Sequence, residues 1–121
     1  MSAAVETVRG LLLDDPTVSG SVGGRVYPTP LKERPVFPSI TYTETGTDYI
    51  NTLQGASDLR FVDVQVDVWS PSYTEMETVA SGVENALNDG ANTLVNRFTL
   101  YEQDSRLRHK VIEVRIPHKQ F

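Results

Sequence analysis

The chain contains no cysteine. Disulfides, thiolate nucleophiles and cysteine-ligated zinc are therefore excluded, and a reducing compartment is the expectation. Histidine is scarce. His109 and His118 flank an expected strand, and an odd separation puts them on different faces. With no carboxylate at ligand spacing they do not read as a metal site. They are expected at the surface, near a basic end. No apolar run approaches the roughly 20 residues of a membrane helix. The opening Met1-Ser-Ala-Ala-Val-Glu6 lacks a basic region followed by a long apolar stretch, so no secretory signal is expected.

Motifs of chemistry are missing too. Gly20-Ser-Val-Gly-Gly-Arg25 is glycine-rich but lacks the lysine and hydroxyl residue of a phosphate loop. There is no GxSxG elbow for a nucleophilic serine. The tyrosines do not alternate with arginines, as a single-strand nucleic-acid platform requires. Basic residues are rare in the middle of the chain. Between Val36 and Ser105 there are two, Arg60 and Arg97, against eleven acidic residues. The segment after Ser105 is basic, with Arg106, Arg108, Lys110, Arg115 and Lys119 against Glu113. An acidic body with a basic end is unlike a nucleic-acid binder. It suits either plain solubility or copies that meet acidic patch to basic patch.

What is present is 121 residues with a formal net charge of −5, the length of one domain spanning 1–121. Val5, Val8, Leu11 and Leu12 form an apolar stripe at helical spacing, predicting a helix from Ser2 to Asp14 that stops at Asp14-Asp15-Pro16. Thr17 to Gly24 reads as turn, and Arg25 to Tyr27 as a candidate short strand. Pro28, Pro30, Pro35 and Pro38 exclude a central strand until they stop. A strand is expected over about 36–45. Thr45 to Asp58 reads as a long loop, of the kind that is functional or mobile.

Leu59 to Trp69 reads as a strand, with valine at every second position from Val62 to Val68. Ser72 and Glu75 fit a capping box. The helix that follows carries Met76, Val79, Ala80, Val83, Ala86 and Leu87 on one face and ends at Asn88-Asp-Gly90. Leu94, Phe98 and Leu100 alternate in an expected strand over 94–102. Gln103 to Arg108 reads as a turn. A final strand, Lys110 to Ile116, points Ile112, Val114 and Ile116 inward and ends at Pro117. The order α-β-β-β-α-β-β predicts an α+β fold: a mainly antiparallel sheet with two amphipathic helices on one face.

The alternating strand also decides what Asp63 and Asp67 do. They share the polar side with Gln65. Four residues of strand separate them by roughly 13 Å. A glycosidase pair needs less than about 10 Å, and two ligands of one metal need less still. The pair is no catalytic dyad, and solvent or subunit contact is expected. Trp69 closes the strand on that side, either packed at the sheet end or at a contact between subunits. Exposed Tyr49 in the long loop is a candidate interface anchor.

Three stretches in succession carry a resemblance: Gly23-Gly-Arg-Val-Tyr-Pro28; Val64-Gln-Val-Asp-Val-Trp69 with the helix Tyr73 to Leu87; and Tyr101-Glu-Gln-Asp104 before the last strand. In their order and spacing the chain resembles the tail completion proteins of long-tailed bacteriophages, also called tail terminator or head–tail joining proteins. The resemblance implies a structural virion protein at the head-proximal end of the tail, assembled in the host cytoplasm. It implies a homo-oligomer, a ring of six copies, that caps the tail tube protein and docks to the head connector. DNA would pass through the lumen without sequence-specific binding. It implies no enzyme activity, no catalytic residue, no cofactor, no metal and no membrane. The expected subunit or lumen contacts are Asp63, Gln65, Asp67, Tyr49, Arg106, Arg108 and Lys110. A small ligand-binding or regulatory α+β domain, with a pocket beneath the long loop, is the alternative.

Overall fold

The computed structural model describes residues 3–30, 35–52, 55–88, 92–102 and 107–119. Helix α1 (Ala3–Asp14) is followed by α2 (Pro16–Val22), then β1 (Val26–Pro28), β2 (Ser39–Thr52), β3 (Gly55–Ser70), α3 (Tyr73–Leu87), β4 (Thr93–Glu102) and β5 (Leu107–Lys119). The sheet has the order β1-β2-β3-β5-β4. Its β1–β2 pair is parallel, and the other three are antiparallel.

The α+β expectation holds, with one helix more. Thr17 to Val22 is helical, not turn. Asp15-Pro16 ends one helix and begins the next. The Asp15 carboxylate accepts from the amides of Thr17 and Val18, a cap typically worth about 1 kcal/mol, and proline fits the first helical position, where no amide bond is lost. Gly23 closes α2 with its amide donating to the Ser19 carbonyl. Its φ of 61° is one that favours glycine.

The helices cover one face of the sheet, with α3 on β3 and β5, α1 on β1 and β2, and α2 wedged against both helices. Beneath them Val62, Val64, Val66 and Val68 of β3 meet Ile112, Val114 and Ile116 of β5 and Ile40 and Tyr42 of β2, all essentially without exposure. From above come Val5, Val8 and Leu12, then Val18 and Val22, then Met76, Val79, Ala80, Val83 and Leu87. Each fully buried aliphatic side chain of this kind contributes about 1.5–3 kcal/mol. The two apolar stripes read from the sequence are therefore the helix half of the core.

The capping box is modified. The Ser72 hydroxyl accepts from the Glu75 amide as expected. Glu75 does not reach back to Ser72. Its carboxylate accepts from the Ser70 hydroxyl, which itself accepts from the Ser72 amide, so Ser70 relays the return bond. The helix ends at Leu87 with Asn88 as cap; Gly90 lies outside the described residues.

Four strands differ from expectation. The expected 45–58 loop is replaced by strand: residues 45–52 extend β2 and 55–58 extend β3, with Thr52 opposite Gly55. Its register shifts between Glu44 and Gly46 and again between Tyr49 and Asn51. In β4 a shift between Leu94 and Asn96 makes Val95 the extra residue of a bulge. Leu94 therefore lies opposite inward Val114, while Phe98 and Leu100 lie opposite Val111 and His109 on the other face. Those three residues do not share a side. Finally, β5 starts at Leu107, inside the expected turn, and does not end at Pro117. Pro117 pairs with Phe61 on β3, and the pairing of β4 with β5 stops at Arg115, so the proline lies where β3 is the one neighbour of β5 among the described residues.

Candidate functional site

The face of the sheet away from the helices carries the polar residues singled out above. The sheet register assembles them. Asp67 faces Val111 and Thr41, Trp69 faces His109 and Ser39, and Asp63 faces Arg115. At the Trp69 end this face is dry. Trp69 and His109 stack with ring centroids 4.0 Å apart, and the Trp69 indole donates to the Thr41 hydroxyl at 2.9 Å. Asp67 accepts from the Gln65 amide at 3.0 Å, and its other oxygen lies 3.9 Å from His109 Nε2. Trp69, Asp67, His109, Thr41 and Val111 are all buried within one chain. Of the two places open to Trp69, it takes the sheet end. His109 is not a surface histidine, and it does have a carboxylate beside it. Its Nδ1 has no hydrogen-bond partner among the described residues.

Toward the other end the face is wetter. Arg115 reaches across the strands and grips Asp63 with two bonds of 2.9 and 3.1 Å, and Asp48 with a third of 2.6 Å. This links β2, β3 and β5 and pushes the guanidinium pKa above its ordinary value, the Asp63 bond first. On the helix side Lys110 is buried against Glu77 at 2.6 Å, and Arg97 of β4 bridges Glu77 and Glu84 at 2.6 and 2.5 Å. Thus Lys110 and Arg115 of the basic segment meet the chain's own carboxylates. Arg108 is exposed and lies 5.5 Å from the Tyr101 ring. Arg106 is outside the described residues. Tyr49 is exposed on β2.

Burial pushes the Asp67 carboxyl above the usual range, opposed by the Gln65 bond and by His109, with Glu102 adding to the rise. The Lys110 hydrogen bond holds Glu77 below its usual value against desolvation, helped by the charges of Lys110 and Arg97. Opposite pH behaviour follows. A raised carboxyl pKa makes the folded chain the better proton binder, so Asp67 lowers stability as pH rises through its window from about 4. A lowered one makes Glu77 stabilise above about pH 4.5, an effect lost on acidification. In urea titrations Asp67→Asn should exceed the parent in stability at pH 7, with the gap closing toward pH 4. Glu77→Gln should fall below the parent at pH 7, its gap also closing in acid. A flat difference for either variant would contradict the assignment.

Among the described residues no group of three or more histidines or carboxylates could hold a metal. Depressions are open, such as one of about 340 Å³ lined by Glu84, Leu94, Val95, Asn96, Arg97 and Ile112. The ligand-binding alternative placed a pocket beneath a 45–58 loop; the described residues of that stretch, 45–52 and 55–58, lie in β2 and β3. What sequence reasoning missed was the His109–Trp69–Asp67 cluster. It needs the β3–β5 register, and no local signal carries it.

The family profile of "Tail completion protein gp17" matches residues 6–119. No curated protein matches the chain. Among solved structures it is similar to a chain from the virion of a native gene transfer agent particle, with 18% identity and a TM-score of 0.71 over 94% of this chain and 96% of that one. At that identity the likeness concerns the fold.

Proposed function

Because the chain belongs to the gp17 tail completion protein family, with a structural role in the bacteriophage tail, we propose that it caps the head-proximal end of the tail tube as a ring, six copies in all, and forms the joint to the head connector. The observation that carries this is the extent of the family match, which takes in most of α1, the other two helices and the five strands. The protein acts as a structural element and not as an enzyme. A ring needs two different patches on one chain that meet and close.

DNA passes through the lumen. A net charge of −5 favours passage over capture, since phosphate binding depends on basic residues. Asp63, Gln65, Tyr49 and Arg108 remain contact candidates toward lumen or neighbour. Asp67 and Lys110 act inside the chain.

Negative-stain images and sedimentation of the protein, alone and with tail tubes of its own virus, test the proposal. Six-fold rings and tubes fixed at native length are expected. Monomers under both conditions, together with tails of native length when the protein is missing, would overturn it.

A further inference from the structure

Among the described residues, five of the seven exposed large hydrophobic ones, Tyr49, Leu94, Val95, Leu100 and Tyr101, lie on just two strands, β2 and β4. Both strands have an open edge. Among the described residues strand β4 pairs with β5 alone, and all its residues but Phe98 are exposed. Strand β2 pairs with β1 only through Ile40, Thr41 and Tyr42. Beyond Tyr42, among the described residues, nothing pairs with its side away from β3. The open part of β2 runs from residue 43 to 52, and β4 runs from 93 to 102, so the two edges have equal length.

Soluble proteins usually protect such edges with proline, lysine or outward charge. Neither stretch contains proline or lysine. The one basic residue of β4, Arg97, is drawn back onto Glu77 and Glu84 of α3. The β2 edge contains two register shifts and the β4 edge one bulge, but apolar side chains lie on both sides of the one in β4.

Strand direction selects the partner. Strands β2 and β5 run one way and β3 and β4 the other, because the three successive pairs are antiparallel. A second copy placed beside the first without inverting its strands then sets its β2 antiparallel to the first copy's β4, the more favourable pairing. The contact joins two different edges, so it leaves the same two edges free at the ends and repeats until a ring closes.

We propose that copies of this chain join by strand addition, the β4 edge of one copy pairing antiparallel with the 43–52 edge of β2 of the next, so that the sheets run on from copy to copy. This rests on the ring reading above and names the surfaces that make the ring.

The absence of cysteine makes the test clean. Full overlap of the two edges sets Thr47 opposite Phe98. Thr47→Cys would be combined in turn with Phe98→Cys, Thr99→Cys and Leu100→Cys, to allow for the bulges. Within one chain β3 and β5 separate these strands by about 14 Å, beyond the roughly 7 Å reach of a disulfide, so any bond formed joins two copies. Oxidation should yield a ladder of covalent multimers ending at ring size. Separately, Val95→Lys with Leu100→Lys should raise the concentration for half assembly by about tenfold or more, since charges on a buried edge are strongly disfavoured. Thermal unfolding of that exposed-site variant should match the parent. Rings that form normally with no disulfide in any pair, or with the lysine variant unaffected, would overturn the edge assignment and leave the ring standing. Covalent dimers alone, formed also by Leu100→Cys without Thr47→Cys, would mean β4 pairs with β4, which overturns it too. A protein that never assembles would overturn both.

Discussion

Replacing Trp69 by alanine is expected to lower stability by about 3–5 kcal/mol, the largest loss anticipated for a single residue of the outer face. That face has no helices over it, so its order depends on side chains lying flat on one another. Trp69 is 8% exposed, stacks on His109 and donates to Thr41. Alanine would remove the ring, uncover the imidazole and leave the Thr41 hydroxyl without its donor. At about 4 °C per kcal/mol for a chain of this size, the melting temperature should fall by roughly 12–20 °C. Trp69→Phe keeps the stack and loses the indole bond, and should cost about 1 kcal/mol. Urea unfolding followed by far-ultraviolet circular dichroism reads both variants. A loss below about 1 kcal/mol for alanine would show that this face is not a packed layer.

The second large effect belongs to Gly82, where α3 crosses α2. A Cβ built there would lie 3.0 Å from the Thr17 methyl and 3.1 Å from a Val18 methyl. Thr17 is exposed and can rotate away, whereas Val18 is fully buried and cannot. For Gly82→Ala the helix-propensity gain of about 1 kcal/mol offsets most of the crowding, and a near-neutral change is expected. Gly82→Val adds two methyls into the same gap with little propensity gain. It should destabilise by about 2–4 kcal/mol, and hydrogen exchange should accelerate first in residues 16–22. Equal stabilities for the valine variant and the parent would mean that α2 does not pack against α3.

Much of the fold was legible because local chemistry announced it. Val62 to Val68 alternated, and Ser72 opened α3 as its position foretold. The failures have physical causes. Helix α2 is short and built of turn-forming residues, and Asp15-Pro16 carries the same local signal for ending one helix as for starting the next. The hairpin from 45 to 58 contains two glycines and few apolar residues, so no period of two showed through. A bulge at Val95 reversed the faces of β4, which no composition reveals. Of the candidate site, the alternation separated Asp63, Gln65 and Asp67 from the valines correctly. Whether a residue on that side is wet depended on partners far along the chain. Asp63 meets Arg115 and Asp67 meets His109 only once β3 and β5 are in register.

The strand order has a kinetic side. The β2–β3 and β4–β5 pairs are local hairpins, each able to form on its own timescale of microseconds. The β3–β5 seam joins residues such as Asp63 and Arg115, 52 positions apart, and closing so long a stretch of chain is slow. Because β5 comes after β4 in the chain yet lies inside it in the sheet, a growing polypeptide cannot seal its valine surface until β5 has been made. Until then the bare flank of β3 is the stretch that a chaperone would have to shield.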